Sequence, residues 1–214
     1  MNLYQIKKQS AWQKDCEKIA TWADSIGLAI LKITDREISN IMKKDISEIY
    51  NLSFLPNLWI IKGIAVINNQ THPGSLLHDL GHLAVTPSWL RPHLSENLDW
   101  EQSPKLVELV ESKCDATAGK GLKLQNWNAL IHGDEQAAIA WSFVAAQAAG
   151  VDNFLPFEIG FDNPDSSTGE ELHDSLLMSA ATGNCYHAGI ASLYHGGMLK
   201  NKADFPSLSK WIQD

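Results

Sequence analysis

The sequence predicts an α+β fold, in which a mostly helical single domain spanning residues 1–214 carries a small β-sheet beside one of its helices. Residues 10–27 have the apolar spacing of a helix, and residues 134–149 have the alanine content of one. Residues 58–68 are instead rich in β-branched and aromatic residues, which favour strands. A chain of this length can bury a core large enough to fold without disulfide bonds.

The N-terminal part of the sequence predicts two helices around one short strand. Apolar residues recur at helical spacing across residues 10–27, and Gly27 is typical of a helix end. Residues 28–33 are short, apolar and compatible with a strand. Residues 35–49 combine polar and apolar residues and predict a second helix.

A hairpin followed by a helix comes next. The β-rich stretch contains Lys62 and Gly63 at its midpoint, and this dipeptide suits a tight turn between two strands. A turn at residues 72–75 leads into a helix at residues 76–85, with Ser75 as its candidate N-cap. We therefore expect the small sheet to pack beside this helix.

Helices dominate the second half of the sequence. Residues 105–118 predict an amphipathic helix. Residues 134–149 begin with acidic side chains, are rich in alanine and are followed by Gly150, which together give the clearest helix in the chain. Residues 172–198 predict one helix, or two helices separated near Gly183.

The charge and hydropathy of the chain argue against two classes of partner. The formal net charge is −8, whereas nucleic-acid phosphates are bound by clustered Lys and Arg side chains. The N-terminus lacks the apolar stretch of a signal peptide, and no apolar run approaches the ~20 residues of a membrane span. We expect a cytoplasmic protein that binds neither nucleic acid nor membrane; its oligomeric state stays open.

The helix predicted beside the sheet carries the motif His78-Asp79-Leu80-Gly81-His82. Histidines four residues apart project from the same helix face, so both imidazoles can bind one metal ion. Neutral imidazole suits zinc and its neighbours in the transition series. Asp79 follows the first histidine and is the candidate general base, while Gly81 leaves room for another backbone to approach.

A catalytic zinc site needs a third protein ligand and one open position for water. Asp134 and Glu135 open the alanine-rich helix, and its small side chains would allow close packing against the histidine helix. Acidic residues in a first helical turn also stabilise the helix dipole, so a purely structural role stays open. Of the two we favour Glu135, which with His78 and His82 would hold one zinc ion per chain.

These motifs resemble those of gluzincin-type zinc metallopeptidases, and their layout is closest to the small cytoplasmic ImmA/IrrE-like metallopeptidases. The resemblance covers roughly residues 58–146: a hairpin, an HDxxH variant of the HExxH helix, and a later helix with an acidic start. It implies that His78 and His82 are paired ligands and that Glu135 is the third. It also implies that Asp79 is the general base, where the family has Glu, of a peptidase acting on a peptide or protein substrate.

Two other interpretations stay open. The motif is also similar to the core of HD-domain phosphohydrolases, in which an adjacent His and Asp both bind metal. That family needs a further histidine on an earlier helix, and here His72 is the sole histidine upstream of His78. In the other interpretation, the metal merely stabilises a non-catalytic binding or regulatory module. An open coordination position with bound water would distinguish an enzyme from such a module.

The C-terminal histidines are further candidates for the site. His187 and His195 lie eight residues apart and could share one helix face. Most such histidines are surface residues or hydrogen-bonded core residues, and that is the interpretation we favour. The alternative is that one of them stabilises an oxyanion at the metal site.

Overall fold

The computed structural model describes residues 3–42, 57–95, 108–110, 112, 134–151 and 169–213. Within these residues the predicted α+β class is confirmed, because helices surround one small three-stranded sheet. The predicted helix at residues 105–118 lies almost entirely outside the described residues, as does the second half of the helix predicted at residues 35–49.

The described part of the chain contains six α-helices with defined bounds and two short 3-10 turns, and residues 108–110 and 112 are also helical. The helices are α1 (Leu3–Ser25), α2 (Asp35–Met42), α3 (Pro73–Val85), α4 (Asp134–Ala148), α5 (Gly169–Thr182) and α6 (Ala188–His195). The 3-10 turns are Arg91–His93 and Lys202–Asp204. Among the described residues, no helix combines the length and apolar character needed to cross a bilayer.

The sheet contains the strands β1 (Ile30–Lys32), β2 (Leu58–Ile61) and β3 (Ile64–Ile67), in the order β1-β3-β2. β3 lies parallel to β1 and antiparallel to β2, so the predicted hairpin is confirmed. Lys62 and Gly63 both have positive φ angles, 51° and 75°, which is the backbone of a type I′ turn. This turn twists the two strands in the direction that a sheet requires.

The two faces of the sheet pack against different helices, because side chains alternate along a strand. Ile60 and Ala65 belong to the main core, which also includes Leu76 and Leu80 of α3. On the opposite face Trp59 joins a smaller cluster that includes a residue of α2. The sheet therefore supports α3 from one side, as the sequence predicts.

Helix α4 is the centre of the core and contacts both α3 and α6. Its Trp141 side chain is fully buried and donates a hydrogen bond from Nε1 to the Trp211 carbonyl at 2.8 Å. Gly150 ends this helix with a φ of +67°, a conformation that glycine adopts without strain. The segment predicted at residues 172–198 is two helices, α5 and α6, and the break falls near Gly183 as expected.

Candidate metal centre

Helix α3 begins where a histidine, a proline and a glycine follow one another. His72 is the N-cap, and its Nδ1 atom accepts a hydrogen bond from the Gly74 backbone N–H at 3.1 Å. Pro73 occupies the first turn, where its fixed φ suits the helix and its missing N–H costs nothing. The prediction of Ser75 as the N-cap was wrong, because Pro73 starts the helix earlier and Ser75 lies inside it.

Every residue of α3 is buried, and this makes its three ionisable side chains unusual. His78, Asp79 and His82 are only 5%, 8% and 9% exposed. Buried ionisable groups are costly unless they are paired, hydrogen-bonded or bound to a metal. Their burial therefore calls for a partner outside the helix.

That partner comes from the first turn of α4. The Glu135 Oε2 atom lies 3.1 Å from His82 Nε2 and 3.4 Å from His78 Nε2. The two Nε2 atoms are 3.0 Å apart, so three potential ligand atoms form a small triangle. Among the described residues, these three side chains form the group that could hold a metal ion. The side chain of Asp134, the alternative candidate ligand, lies outside the described part of the structure.

The triangle has the size that a single ion requires. Zinc bound at 2.0–2.1 Å in tetrahedral geometry separates neighbouring ligand atoms by about 3.3 Å. The observed separations of 3.0, 3.1 and 3.4 Å bracket this value. Two imidazoles and one carboxylate are also ligands that zinc binds in proteins. The ligand types and the distances between the ligand atoms therefore both fit a zinc ion.

Hydrogen bonding alone does not satisfy all three contacts. If both imidazoles donate from Nε2 to Glu135, two N–H groups face each other at 3.0 Å. If one Nε2 lacks hydrogen, its contact with the carboxylate joins two acceptors. A cation at the centre removes this conflict, because all three atoms then offer it a lone pair.

The electrostatics of the site favour the ligand forms of these side chains. Burial and the neighbouring His82 lower the pKa of His78 to about 4, so its imidazole is neutral at pH 7. Burial opposes ionisation of Glu135, but the hydrogen bond from His82 and the electrostatic interaction with both histidines keep its pKa below the usual value. Neutral imidazoles and an ionised carboxylate are the forms that bind metal.

Asp79 lies beside the ligand triangle without joining it. Its carboxylate is not among the atoms that cluster within 4.8 Å of one another. Burial is the main cause that raises the pKa of Asp79 to about 7; His82 opposes this rise, and the Glu135 charge adds to it. The carboxylate is therefore electrostatically coupled to His82 and Glu135 of the triangle.

The glycine between the two histidines allows α4 to reach the site. A Cβ atom at Gly81 would lie 2.6 Å from the Ala138 carbonyl oxygen and 2.9 Å from Ser142 Oγ. Real Cβ atoms essentially never come so close to other atoms. This close approach is the role that the sequence predicts for Gly81, and it brings Glu135 within reach of the histidines.

Two groups that support the site were missed in the sequence. The Arg91 guanidinium donates from Nε to the Leu83 carbonyl at 2.8 Å and from Nη2 to the carbonyls of Thr86 and Gln213, both at 3.0 Å. It thus satisfies carbonyl groups at the C-terminal end of α3, which no sequence pattern indicated. Ser142 is the second group, and no local pattern distinguishes it from other helical serines.

The C-terminal histidines are not among the described side chains that could share a metal ion with His78 and His82. His187 is buried and caps α6, and its Nδ1 atom accepts a hydrogen bond from the Gly189 N–H at 3.0 Å. His195 ends the same helix and is exposed. Neither belongs to the cluster of potential ligands, so they do not share a metal site with His78.

In comparisons with known proteins, no family model, curated protein or solved structure matches the chain. The resemblance to metallopeptidases thus remains a prediction from a few motif residues. The geometry of the His78, His82 and Glu135 triangle is the ground on which a function can be proposed.

Proposed function

We propose that the protein is a zinc-dependent hydrolase, most closely a peptidase, that holds one zinc ion per chain through His78, His82 and Glu135. The observation that carries this proposal is the triangle of ligand atoms, with sides of 3.0, 3.1 and 3.4 Å. Three protein ligands leave a tetrahedral ion one open position, as in catalytic rather than structural zinc sites. Glu135 is 49% exposed, which gives a small molecule a route to that position.

In this proposal Asp79 is the general base and peptides or proteins are the substrates. When bound, zinc would supply a Lewis acid that polarises a carbonyl group and acidifies water. The Asp79 carboxylate would hold this water and accept its proton, since it directly follows His78 and is electrostatically coupled to His82 and Glu135. The buried surroundings of Asp79 raise its pKa, so its carboxylate is a stronger base than that of an exposed aspartate.

The arrangement favours this role over that of a direct ligand, as an HD-domain phosphohydrolase would require. Asp79 lies outside the ligand triangle, and Glu135 occupies the third place. His72, the one histidine upstream of the motif, caps α3 and is not in the cluster of potential ligands. The phosphohydrolase interpretation therefore has no specific observation in its support.

The first experiment separates binding from catalysis. Zinc content is measured by elemental analysis for the wild type, Asp79→Asn and Glu135→Gln, and hydrolysis is measured on a fluorescence-quenched peptide library. We expect Asp79→Asn to retain zinc but lose at least about 100-fold in hydrolysis, since general-base contributions have that size. Glu135→Gln should lose zinc. Zinc loss in Asp79→Asn alone would instead support the phosphohydrolase.

Asp79→Glu tests whether the site is built around the shorter side chain. Glu reaches one methylene further, about 1.5 Å, so it would move the carboxylate relative to the water. Peptide hydrolysis by Asp79→Glu that equals or exceeds the wild-type rate would show that the site also accepts the longer general base. Slower hydrolysis would show that the pocket is adapted to Asp. If zinc-loaded wild type and Asp79→Glu both cleave no peptide, the peptidase proposal fails and a non-catalytic module is favoured.

A further inference from the structure

The closest approach between the two ligand-bearing helices lies next to a buried hydroxyl group. Ser142 of α4 is fully buried, and its Oγ atom lies 2.6 Å from the Ala138 carbonyl within its own helix. Such a bond to the preceding turn is common for helical serines. The same Oγ atom lies 2.9 Å from the carbonyl of Leu77 in α3, a contact that joins two helices far apart in sequence. Because a hydroxyl has one hydrogen, the two carbonyls share it in a three-centre hydrogen bond.

This contact meets α3 within the metal site rather than at its edge. Leu77 directly precedes His78, so the carbonyl that receives the hydroxyl belongs to the peptide group attached to a ligand residue. Gly81 lies one turn further along α3, where a Cβ atom would come within 2.9 Å of the same Oγ atom. The serine is therefore enclosed by the backbone that presents the histidines.

Ser142 also shares a helix face with the third ligand. Glu135, Ala138 and Ser142 are spaced by three and four residues, which places them on one side of α4. The distance along α4 from Glu135 to Ser142 is about 10 Å, at 1.5 Å per residue. A bond at one end of this rigid face fixes how far α4 can slide along α3, and so fixes Glu135 against the histidines.

We propose that Ser142 is a positioning residue of the metal centre, whose hydroxyl sets the axial register between α3 and α4. This inference rests on the proposed metal site. Protein–metal distances must hold to within about 0.2 Å, so even a small slide of α4 would move Glu135 out of ligand range. The packing at Gly81 limits how closely the helices approach, whereas the directional Ser142 bond limits sliding.

The experiment compares Ser142→Ala with a matched serine on a helix that carries none of the three candidate ligands. Ser179 of α5 is also buried and bonded to the preceding turn, at 2.7 Å from the Ser175 carbonyl, and it accepts a second bond from the Tyr186 N–H. Ser179→Ala therefore removes a similar buried hydroxyl group from α5. Zinc affinity is measured by chelator competition, and site geometry by the visible spectrum of the cobalt-substituted protein.

We expect Ser142→Ala to weaken zinc binding about 10-fold and to change the cobalt spectrum, as is found when groups that orient metal ligands are removed. Ser142→Cys, which keeps a weak donor of similar size, should restore part of the affinity. Ser179→Ala should match the wild type in both measurements, whatever it does to the melting temperature.

Three outcomes would count against the inference. Equal zinc affinity in Ser142→Ala and wild type would show that the hydroxyl does not position Glu135 for metal binding. Equal loss in Ser142→Ala and Ser179→Ala would show that general destabilisation explains the effect. Absence of zinc binding by the wild type would overturn the metal site itself, together with the role assigned to Ser142.

Discussion

Two helices of this protein, α3 and α6, begin with the same N-terminal cap, but one of them carries candidate metal ligands. α3 and α6 each start with a His-x-Gly sequence whose imidazole Nδ1 accepts the glycine N–H, at 3.1 Å for His72 and 3.0 Å for His187. Each also packs on α4 through a glycine that has no room for a Cβ atom. Among the described residues, the histidines of α3 meet a carboxylate of α4 and belong to a potential metal site, whereas those of α6 do not.

The difference comes from two adjacent residues of α4. Glu135 contacts the histidines of α3, whereas the carbonyl of Gln136 packs against Gly189 of α6. Successive residues of a helix point about 100° apart, so neighbouring positions of α4 can serve different helices. A histidine-capped helix thus becomes a candidate metal site only when the facing helix supplies a ligand.

The largest expected effect is on metal content. Replacing both His78 and His82 with Ala should reduce bound zinc from one per chain to nearly none, because two of the three ligands are lost. The matched control changes the histidines of α6, as His187→Asn with His195→Ala, and should keep full zinc content. Elemental analysis of both proteins measures this. Zinc loss in the control would mean that α6 contributes to the site after all.

The second effect concerns the glycine contacts of both helices. A Cβ atom would lie 2.6 Å from the Ala138 carbonyl oxygen at Gly81, and 1.8 Å from the Gln136 carbonyl oxygen at Gly189. Each Gly→Ala change should lower the free energy of unfolding by about 2–4 kcal/mol, with the larger loss at Gly189 because its clash is more severe. Only Gly81→Ala should also weaken zinc binding.

Chemical denaturation and chelator competition measure these two quantities, and Gly150→Ala provides the control. Gly150 has a positive φ of 67° but open space around it, so alanine there should cost only about 1–2 kcal/mol from backbone strain. If Gly81→Ala loses no more unfolding free energy than Gly150→Ala, the close packing of α3 on α4 at Gly81 contributes little to stability.

The smallest effect is a pH dependence specific to α6. Burial lowers the pKa of His187 from 6.5 to about 4. Because the folded pKa is depressed, its contribution to stability is complete above about pH 6.5 and declines as pH falls toward 4. We expect the wild type to lose about 1 kcal/mol of unfolding free energy to this group between about pH 7.5 and pH 5.5.

His187→Asn tests this pH effect, because asparagine caps helices well and does not titrate. In zinc-saturated buffer, the protonation of the metal ligands affects both proteins equally and cancels in their difference. The variant should therefore lose less stability than the wild type as the solution is acidified. Parallel pH profiles for the two proteins would mean that His187 is protonated in the folded state as readily as in the unfolded chain.

Local sequence patterns predicted much of the fold but little of how its elements meet. The type I′ turn at Lys62 and Gly63, the end of α4 at Gly150 and the break near Gly183 each depend on backbone preferences of a few residues. The N-cap of α3 was misassigned because His72 is an uncommon cap and Ser75 a common one. Nothing local marked Arg91 as a partner of α3 carbonyls, since that contact forms only in the folded chain.

The sequence by itself determined that His78 and His82 share a helix face, because a four-residue spacing on an α-helix permits no other arrangement. It also determined, through Gly81, that another backbone could approach between them. Only the tertiary structure decided which carboxylate completes the triangle, because Glu135 lies 53 residues beyond His82 and reaches it through helix packing. The same holds for the Ser142 bond to Leu77: periodicity orients side chains within one helix, whereas register between helices is set where they touch.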